Sequence, residues 1–509
     1  MDRIKRFNAA VSSPITRSNF VLHPAVLMTA GIMCLTALLG FYLLGHKSFW
    51  FDEGISITVV KPGISTTINY IIHGGGNMGL YFLLLDPWIK LGDSEFVVRS
   101  LSVVFAVLTI PVIVAIGARL FNKWVGLLAA LFLAVNPYFI RFAQEARSYT
   151  LLLLMGGLSS YILIRAVQKP SKRLWAAYTV SGILLAFTHV YGILLLAAHA
   201  VSLLLLRRKD IPWRGLLISW TVMALFIVPL VYSILKYAGH DLDWISRPGV
   251  GDVITFMTTI AGGQLLLGVF AVLGIIALDY AIREWVVSKF SHKTWYFALL
   301  FSWMLVPIAL SFGISQVKPV LESRYLIICG APLMVLAAYG ISRIPRWWIV
   351  ILSIVVILTI SGSRLQSYYS NSDKEEWRGA TTFVLSRTEA GDAIVFYAPH
   401  VSITYDYYVE KAGALAEAPV NVPYYDPIAN PNTTVLNNPE GYDVGGPLPP
   451  PDPALTDRLA NYDRVWLVLS HDGSPSSRVG QNEAVQDMLQ AKYGTPEETD
   501  FYGIRVLLY

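Results

Sequence analysis

The sequence predicts an α-helical integral membrane protein with a small α/β domain at its C-terminal end. Three observations carry this reading. The 509 residues are 55% hydrophobic and only 14% charged, with a mean hydropathy of +0.54, whereas soluble domains carry about 25% charged residues. Apolar runs of about 18 to 22 residues recur through the first 361 positions, the length that crosses a hydrocarbon core. Short loops between these runs carry clustered lysine and arginine, and these clusters fix a direction of threading.

Taken in order, spans are expected near 25–45, 100–118, 124–140, 149–165, 174–190, 193–206, 215–235, 265–282, 295–315, 325–341 and 347–362. That makes about eleven. One further apolar stretch, 80–91, is short and interrupted by Asp86-Pro87. The basic loops decide its status. Arg119 and Lys123; Arg165, Lys169, Lys172 and Arg173; Arg207 to Arg214; Arg283, Lys289 and Lys293; and Arg343 with Arg346 all fall on the cytoplasmic side if 80–91 does not cross. If it crossed, every one of them would be external. Residues 47–98 therefore read as one long outer loop with helices lying along the membrane surface. The N-terminus is inside and the C-terminus outside. The first apolar run is long and lacks a small-residue cleavage site, so it reads as a retained span.

Residues 1–362 thus form the membrane domain and 363–509 a soluble outer domain. In the latter, 373–387 suits a helix, 393–397 and 464–469 suit strands, 483–492 a helix and 504–509 a closing strand. The Pro/Gly-rich stretch 445–451 reads as a surface loop. No repeat and no phosphate-binding glycine motif is visible.

The net charge of +5 is spread over the short loops. It is a topology signal and excludes a nucleic-acid footprint. The two cysteines, Cys34 and Cys329, both lie in apolar runs and read as packing residues, which excludes a disulfide framework or a CxxC metal site.

The outer loops hold the unusual polar groups. Asp52-Glu53 follows the first span within Ser48-Phe49-Trp50-Phe51-Asp52-Glu53-Gly54. Unpaired carboxylates in apolar surroundings are costly, and a carboxylate placed there can take a proton from a hydroxyl; the alternative is a solvated turn at a helix end, and the apolar neighbours Trp50 and Phe51 favour the functional reading. Glu145, Arg147 and Tyr149 open a later span, where an arginine can grip phosphate with two parallel hydrogen bonds, or pair with Glu145 structurally. His189 and Tyr191 sit in a very short outer turn, where a histidine can donate to a phosphate oxygen or be satisfied by nearby backbone. Arg324-Tyr325 opens a late span, with Arg324 either a phosphate clamp or a snorkelling anchor. His73, Lys61, His240, Asp241 and Asp243 are weaker candidates. His240-Asp241-Leu242-Asp243 could ligate a divalent ion, but a solvated loop is the better account of it; no essential metal is called for. His199, in mid-span, reads as structural.

The order Phe51-Asp52-Glu53, then Gly79-Leu80-Tyr81-Phe82 through Gly92-Asp93-Ser94-Glu95 to Arg99-Ser100, then Glu145-Ala146-Arg147-Ser148-Tyr149, His189-Val190-Tyr191 and Arg324-Tyr325 resembles bacterial GT-C glycosyltransferases of the protein O-mannosyltransferase and aminoarabinose transferase type. The resemblance covers roughly residues 25–341. It implies a bacterial plasma-membrane enzyme and a polyprenyl-phosphate-sugar donor bound from the outer leaflet. It further implies a hydroxyl acceptor on lipid, glycan or protein, Asp52 as the base of an inverting transfer, and surface helices in the first outer loop. Many relatives have a His-Pro-Pro type sequence where this chain has His73-Gly74-Gly75-Gly76-Asn77. The competing reading is a transporter or flippase of lipid-linked sugars. Transporters carry paired repeats and midplane charges in broken helices, whereas here the polar groups gather at one face. A scaffold with an external binding domain leaves Asp52-Glu53 unexplained.

Overall fold

The computed structural model describes residues 24–73, 76–237, 245–371, 373–397, 401–424, 454–470 and 481–509. Helix α1 is Pro24–Phe41, followed by three short helices: α2 (Phe51–Val60), α3 (Ile64–His73) and α4 (Gly79–Trp88). The bundle continues with α5 (Glu95–Leu120), α6 (Lys123–Ala134), α7 (Pro137–Ala143), α8 (Tyr149–Gln168), α9 (Lys172–Thr188) and α10 (Tyr191–Leu203). It closes with α11 (Trp213–Tyr237), α12 (Val250–Ala261), α13 (Gln264–Val287), α14 (His292–Ser315), α15 (Gly330–Ser342), which the 3₁₀ turn Ser323–Cys329 introduces, and α16 (Trp347–Ser370).

Among the described residues, eight helices are long and apolar enough to cross a membrane. A ninth crossing is made if α6 and α7, bent by 65°, are counted together. The chain is a multi-pass membrane protein, with fewer full-length spans than expected. The shortfall lies at 174–190 and 193–206, where α9 has 17 residues and α10 has 13. At about 1.5 Å per residue, α10 covers about 20 Å of a hydrocarbon layer about 30 Å thick. The break comes at His189, which is extended (φ −166°, ψ 142°) and ends α9. Because α9 and α10 are consecutive, counting both or neither leaves the direction of every later helix unchanged. The stretch 80–91 forms α4 and a single 3₁₀ turn, Ile89–Leu91, and is too short to cross. The expected outer loop 236–264 contains α12.

Helices pack closely where side chains permit. A Cβ on Gly117 of α5 would sit 2.5 Å from the Cα of Gly126 on α6, so these two backbones touch. A buried hydrogen-bonded set, with His199 Nε2 at 2.9 Å from Ser160 Oγ and Nδ1 at 3.2 Å from Tyr178 Oη, fixes α8, α9 and α10 together. His199 is thus satisfied within the core. Cys34 and Cys329 are both free thiols.

The C-terminal part contains α17 (Trp377–Arg387), β1 (Ala393–Tyr397), α18 (Ser402–Ala412), β2 (Val420–Asn421), α19 (Ala454–Arg458), β3 (Val465–Ser470), α20 (Gln481–Tyr493), β4 (Glu497–Phe501) and β5 (Ile504–Leu508). The five-stranded sheet has the order β2-β1-β3-β5-β4. Strand β1 runs parallel to β2 and β3, while β5 is antiparallel to β3 and β4. Every residue of β1 and β3 is buried, the pattern of strands covered on both faces. The expected helices and strands of the tail are present; α18, β2, α19 and β4 were not anticipated. The Pro/Gly-rich stretch 445–451 and His240, Asp241 and Asp243 lie outside the described residues.

The sheet does not stand apart from the first loop. One continuous apolar core joins Phe49, Ile57, Tyr81 and Leu85 of that loop to Trp377, Tyr407 and Trp466 of the tail. A second core fills the helical bundle.

Candidate active site

The segment between α1 and α2 has no strand or helix of its own, yet its backbone groups must find partners. Arg99, near the start of α5 and 1% exposed, supplies them. Its Nη atoms donate to the carbonyls of Leu44 (3.0 Å), Lys47 (2.8 Å) and Ser48 (2.8 Å). Its Nε and Nη2 grip the Glu53 carboxylate at 2.8 and 2.7 Å. All five N–H donors of the guanidinium are thereby used.

Asp52 and Glu53 occupy the first turn of α2, where a helix N-terminus favours negative charge. Their surroundings differ sharply. The Glu53 side chain is 0% exposed. Besides Arg99, it accepts from Lys374 Nζ (3.2 Å) and the Ala146 N–H (2.9 Å). Burial works against its charge, but Arg99 and Lys374 outweigh burial and hold the carboxyl down at about 2. A carboxylate so saturated with donors is a poor proton acceptor. The expectation that Glu53 shares the chemistry is therefore corrected: it ties α2 to α5, to the turn after α7 and to the tail.

Asp52 faces the other way. Its Oδ2 lies 2.8 Å from Arg324 Nη1 and 3.8 Å from Arg147 Nη2. The three side chains remain 15%, 16% and 14% exposed, so the cluster is reachable. Arg147 Nη1 also donates to the Asp52 carbonyl at 3.2 Å. Arg324 lies 5.6 Å above the Trp50 ring and 5.4 Å from that of Tyr325. The buried indole N–H of Trp50 has no partner among the described residues. Two cations converge on one carboxylate, which leaves the cluster one positive charge in excess and suits it to an anion.

Beside this cluster is an aromatic wall. Tyr325 lies 4.8 Å from His189, 5.2 Å from Tyr191 and 6.4 Å from Tyr149. His189 is 1% exposed, and its Nδ1 accepts from the Tyr191 N–H at 3.2 Å. Tyr191 spends its hydroxyl on the Val320 carbonyl (2.6 Å). Glu145 turns away toward Arg141, 3.7 Å distant, and burial raises its pKa. The structure thus brings Asp52, Arg147, Arg324, Tyr149, His189, Tyr191 and Tyr325 to one end of the bundle and places Glu53 and Glu145 behind them.

Of the weaker candidates, Lys61 pairs with Glu410 (2.7 Å) and Asp93 (3.5 Å), and His73 bonds only its own helix at Asn69 (3.1 Å). Among the described residues no group of three His, Cys, Asp or Glu is placed to hold a metal. Sequence reasoning gave no individual role to Trp50, Arg99, Lys374 or Asn77, whose Oδ1 accepts from the Val190 N–H at 3.1 Å. An arginine inside the start of an apolar span is itself a signal and could have singled out Arg99. Nothing in the sequence marks Lys374.

Residues 80–233 match the family model described as dolichyl-phosphate-mannose-protein mannosyltransferase. That segment holds Arg99, Arg147 and His189 but neither Asp52 nor Arg324. The chain aligns with the crystal structure of ArnT from Cupriavidus metallidurans bound to undecaprenyl phosphate. The TM-score is 0.60 at 13% identity, over 95% of this chain and 97% of that one. The oligosaccharyltransferase AglB from Archaeoglobus fulgidus, in complex with an inhibitory peptide and a dolichol-phosphate, aligns with a TM-score of 0.52 at 12% identity, over 87% of this chain and 69% of that one. No curated protein sequence matches the chain. The fold is the GT-C fold that the motif order suggested.

Proposed function

We propose that the chain is a membrane glycosyltransferase that moves a sugar from a polyprenyl-phosphate-sugar donor to an acceptor hydroxyl, with Asp52 as general base. The observation that carries this reading is Asp52 held between Arg147 and Arg324 at one accessible end of the bundle. The acceptor oxygen attacks the anomeric carbon from the face opposite the phosphate. The bond from that carbon to the phosphate oxygen breaks, and the hydroxyl proton passes to Asp52. Such a single displacement inverts the anomeric centre. The departing lipid phosphate gains negative charge, which Arg147 and Arg324 stabilise. The GT-C fold and the match over 80–233 support the donor class. The positive-inside bias of the basic loops supports an outer position for this end of the bundle and for the tail, in a bacterial plasma membrane on this reading.

Before the donor arrives, Arg324 is spent on Asp52. A donor phosphate competes for that guanidinium, and its binding releases Asp52 to accept a proton. The test is turnover by purified protein given a polyprenyl-phosphate-linked hexose and a hydroxyl acceptor, read by mass spectrometry. Transfer yields free polyprenyl phosphate and a glycosylated acceptor. Transport alone leaves the donor intact.

A further inference from the structure

We propose that the C-terminal domain is a positioning element for the Asp52 segment, and that Lys374 is the residue through which it sets the distance between Asp52 and Arg147. The proposal rests on the reading of Asp52 as base and assigns a role to a domain that the reaction itself does not require.

The segment 45–53 is held from two sides. Arg99 takes the carbonyls of Lys47 and Ser48. The tail takes most of the rest. Arg378 of α17 donates to the carbonyls of His46 (3.2 Å) and Gly45 (3.1 Å), and its backbone N–H donates to Ser48 Oγ (3.2 Å). Tyr408 of α18 accepts from the Phe49 N–H at 2.8 Å and donates to Glu95 Oε1 at 2.8 Å. Lys47 reaches back to Asp373 (2.5 Å) and the Tyr368 carbonyl (2.7 Å). Arg378, Tyr408 and Asp373 of the tail, with Tyr368 at the end of α16, thus grip a stretch of chain that has no regular structure and leads straight into Asp52.

Lys374 does something the others do not. Its ammonium is buried and donates both to Glu53 Oε2 (3.2 Å) and to the Gln144 carbonyl (3.0 Å). Glu53 is the neighbour of Asp52 on α2, and Gln144 begins the turn that ends in Arg147. One side chain therefore joins the element carrying the carboxylate to the element carrying its arginine. The charged groups around it are Glu53 on α2, Arg99 on α5, Arg141 on α7, Glu145 in the turn and Asp373 beside it. Burial and Arg99 push the Lys374 pKa down to about 8, against the pull of Glu53, Glu145 and Asp373. The ammonium is charged below that pH and is lost as pH rises through it, which weakens the Lys374 link between Glu53 and the Gln144 carbonyl and leaves the Ala146 N–H as the direct bond from the turn to Glu53. Misplacement of reacting groups by about 1 Å costs on the order of 100-fold in rate.

The test compares Lys374→Met, Lys374→Arg and Tyr408→Phe in the purified full chain. Lys374→Met should lower kcat by about 10- to 100-fold while the donor KM stays within about 3-fold, because the arginines that meet the phosphate are untouched. Wild-type activity should fall as pH rises through about 8, and Lys374→Arg should restore most of kcat and abolish that fall, since arginine stays charged. Unchanged kcat and an unchanged pH profile in Lys374→Met would overturn the proposal. If that variant does not fold, Tyr408→Phe replaces it, since it removes only the hydroxyl that accepts from Phe49; full wild-type kcat there would count against the proposal equally. Amide hydrogen exchange over 45–53 gives a readout independent of turnover. Faster exchange in Lys374→Met is expected even if wild type transfers no sugar, in which case the functional reading fails and the positioning contact stands; unchanged exchange removes the contact itself.

Discussion

Asp52 and Glu53 are adjacent in sequence and opposed in space. Consecutive helical residues point about 100° apart, so a helix that lays Glu53 against Arg99 must turn Asp52 outward to Arg324. The sequence marked the pair but could not rank its members, because the ranking depends on which face of α2 the rest of the protein covers. Arg147 and Arg324 were legible as cations at the ends of apolar runs. Their meeting across 177 positions of chain (147 to 324) was not, and neither was the indole of Trp50, which has no partner among the described residues. Arg324→Gln removes a charged donor, and such a hydrogen bond contributes about 1.5–3 kcal/mol. Donor affinity should fall by about 10- to 100-fold, as measured by titration with the lipid-linked sugar. Undiminished donor affinity would reduce Arg324 to an anchor of its helix.

Among elements, the long apolar helices were readable because length and hydropathy alone define them. The short ones were not: α9 and α10 satisfy composition, but their lengths are set by the break at His189 and by tertiary packing. In the tail, β1 and β3 announced themselves as apolar runs, whereas β4, Glu497–Phe501, carries two glutamates and an aspartate and is exposed along much of its length. The contact between α2 and α18 was invisible in sequence. A Cβ on Gly54 would stand 2.6 Å from Thr404 Oγ1, and Thr404 is β-branched and stiff, so only glycine lets these helices meet. Gly54→Leu should overpack the contact by about 1–3 kcal/mol and loosen the tail, seen as faster cleavage by protease between the bundle and the sheet. Unaltered proteolysis would show that the two helices can separate at no cost.

Across the whole molecule, sidedness was the most useful inference from sequence. The basic loops grouped Asp52, Arg147, His189 and Arg324 on one side, and the structure brings these residues to one end of the bundle. What the loops could not reveal is that the tail shares a hydrophobic core with the first loop, since that core joins residues as far apart in the chain as Leu85 and Trp377. Cysteine scanning in a background lacking Cys34 and Cys329 tests the threading. An impermeant maleimide should label Ser386→Cys in intact cells and Lys169→Cys only after permeabilisation. The opposite pattern would put the site inside the cell.

The central claim is that Asp52 takes the acceptor proton, and Asp52→Asn tests it most directly because the substitution keeps the shape and removes the basicity. In purified protein supplied with a polyprenyl-phosphate-linked sugar and a hydroxyl acceptor, transfer should fall by about two to four orders of magnitude. Donor binding should persist, and it should strengthen slightly, since Arg324 no longer has a carboxylate to satisfy. Transfer by Asp52→Asn at the wild-type rate would contradict the account and remove Asp52 from the chemistry.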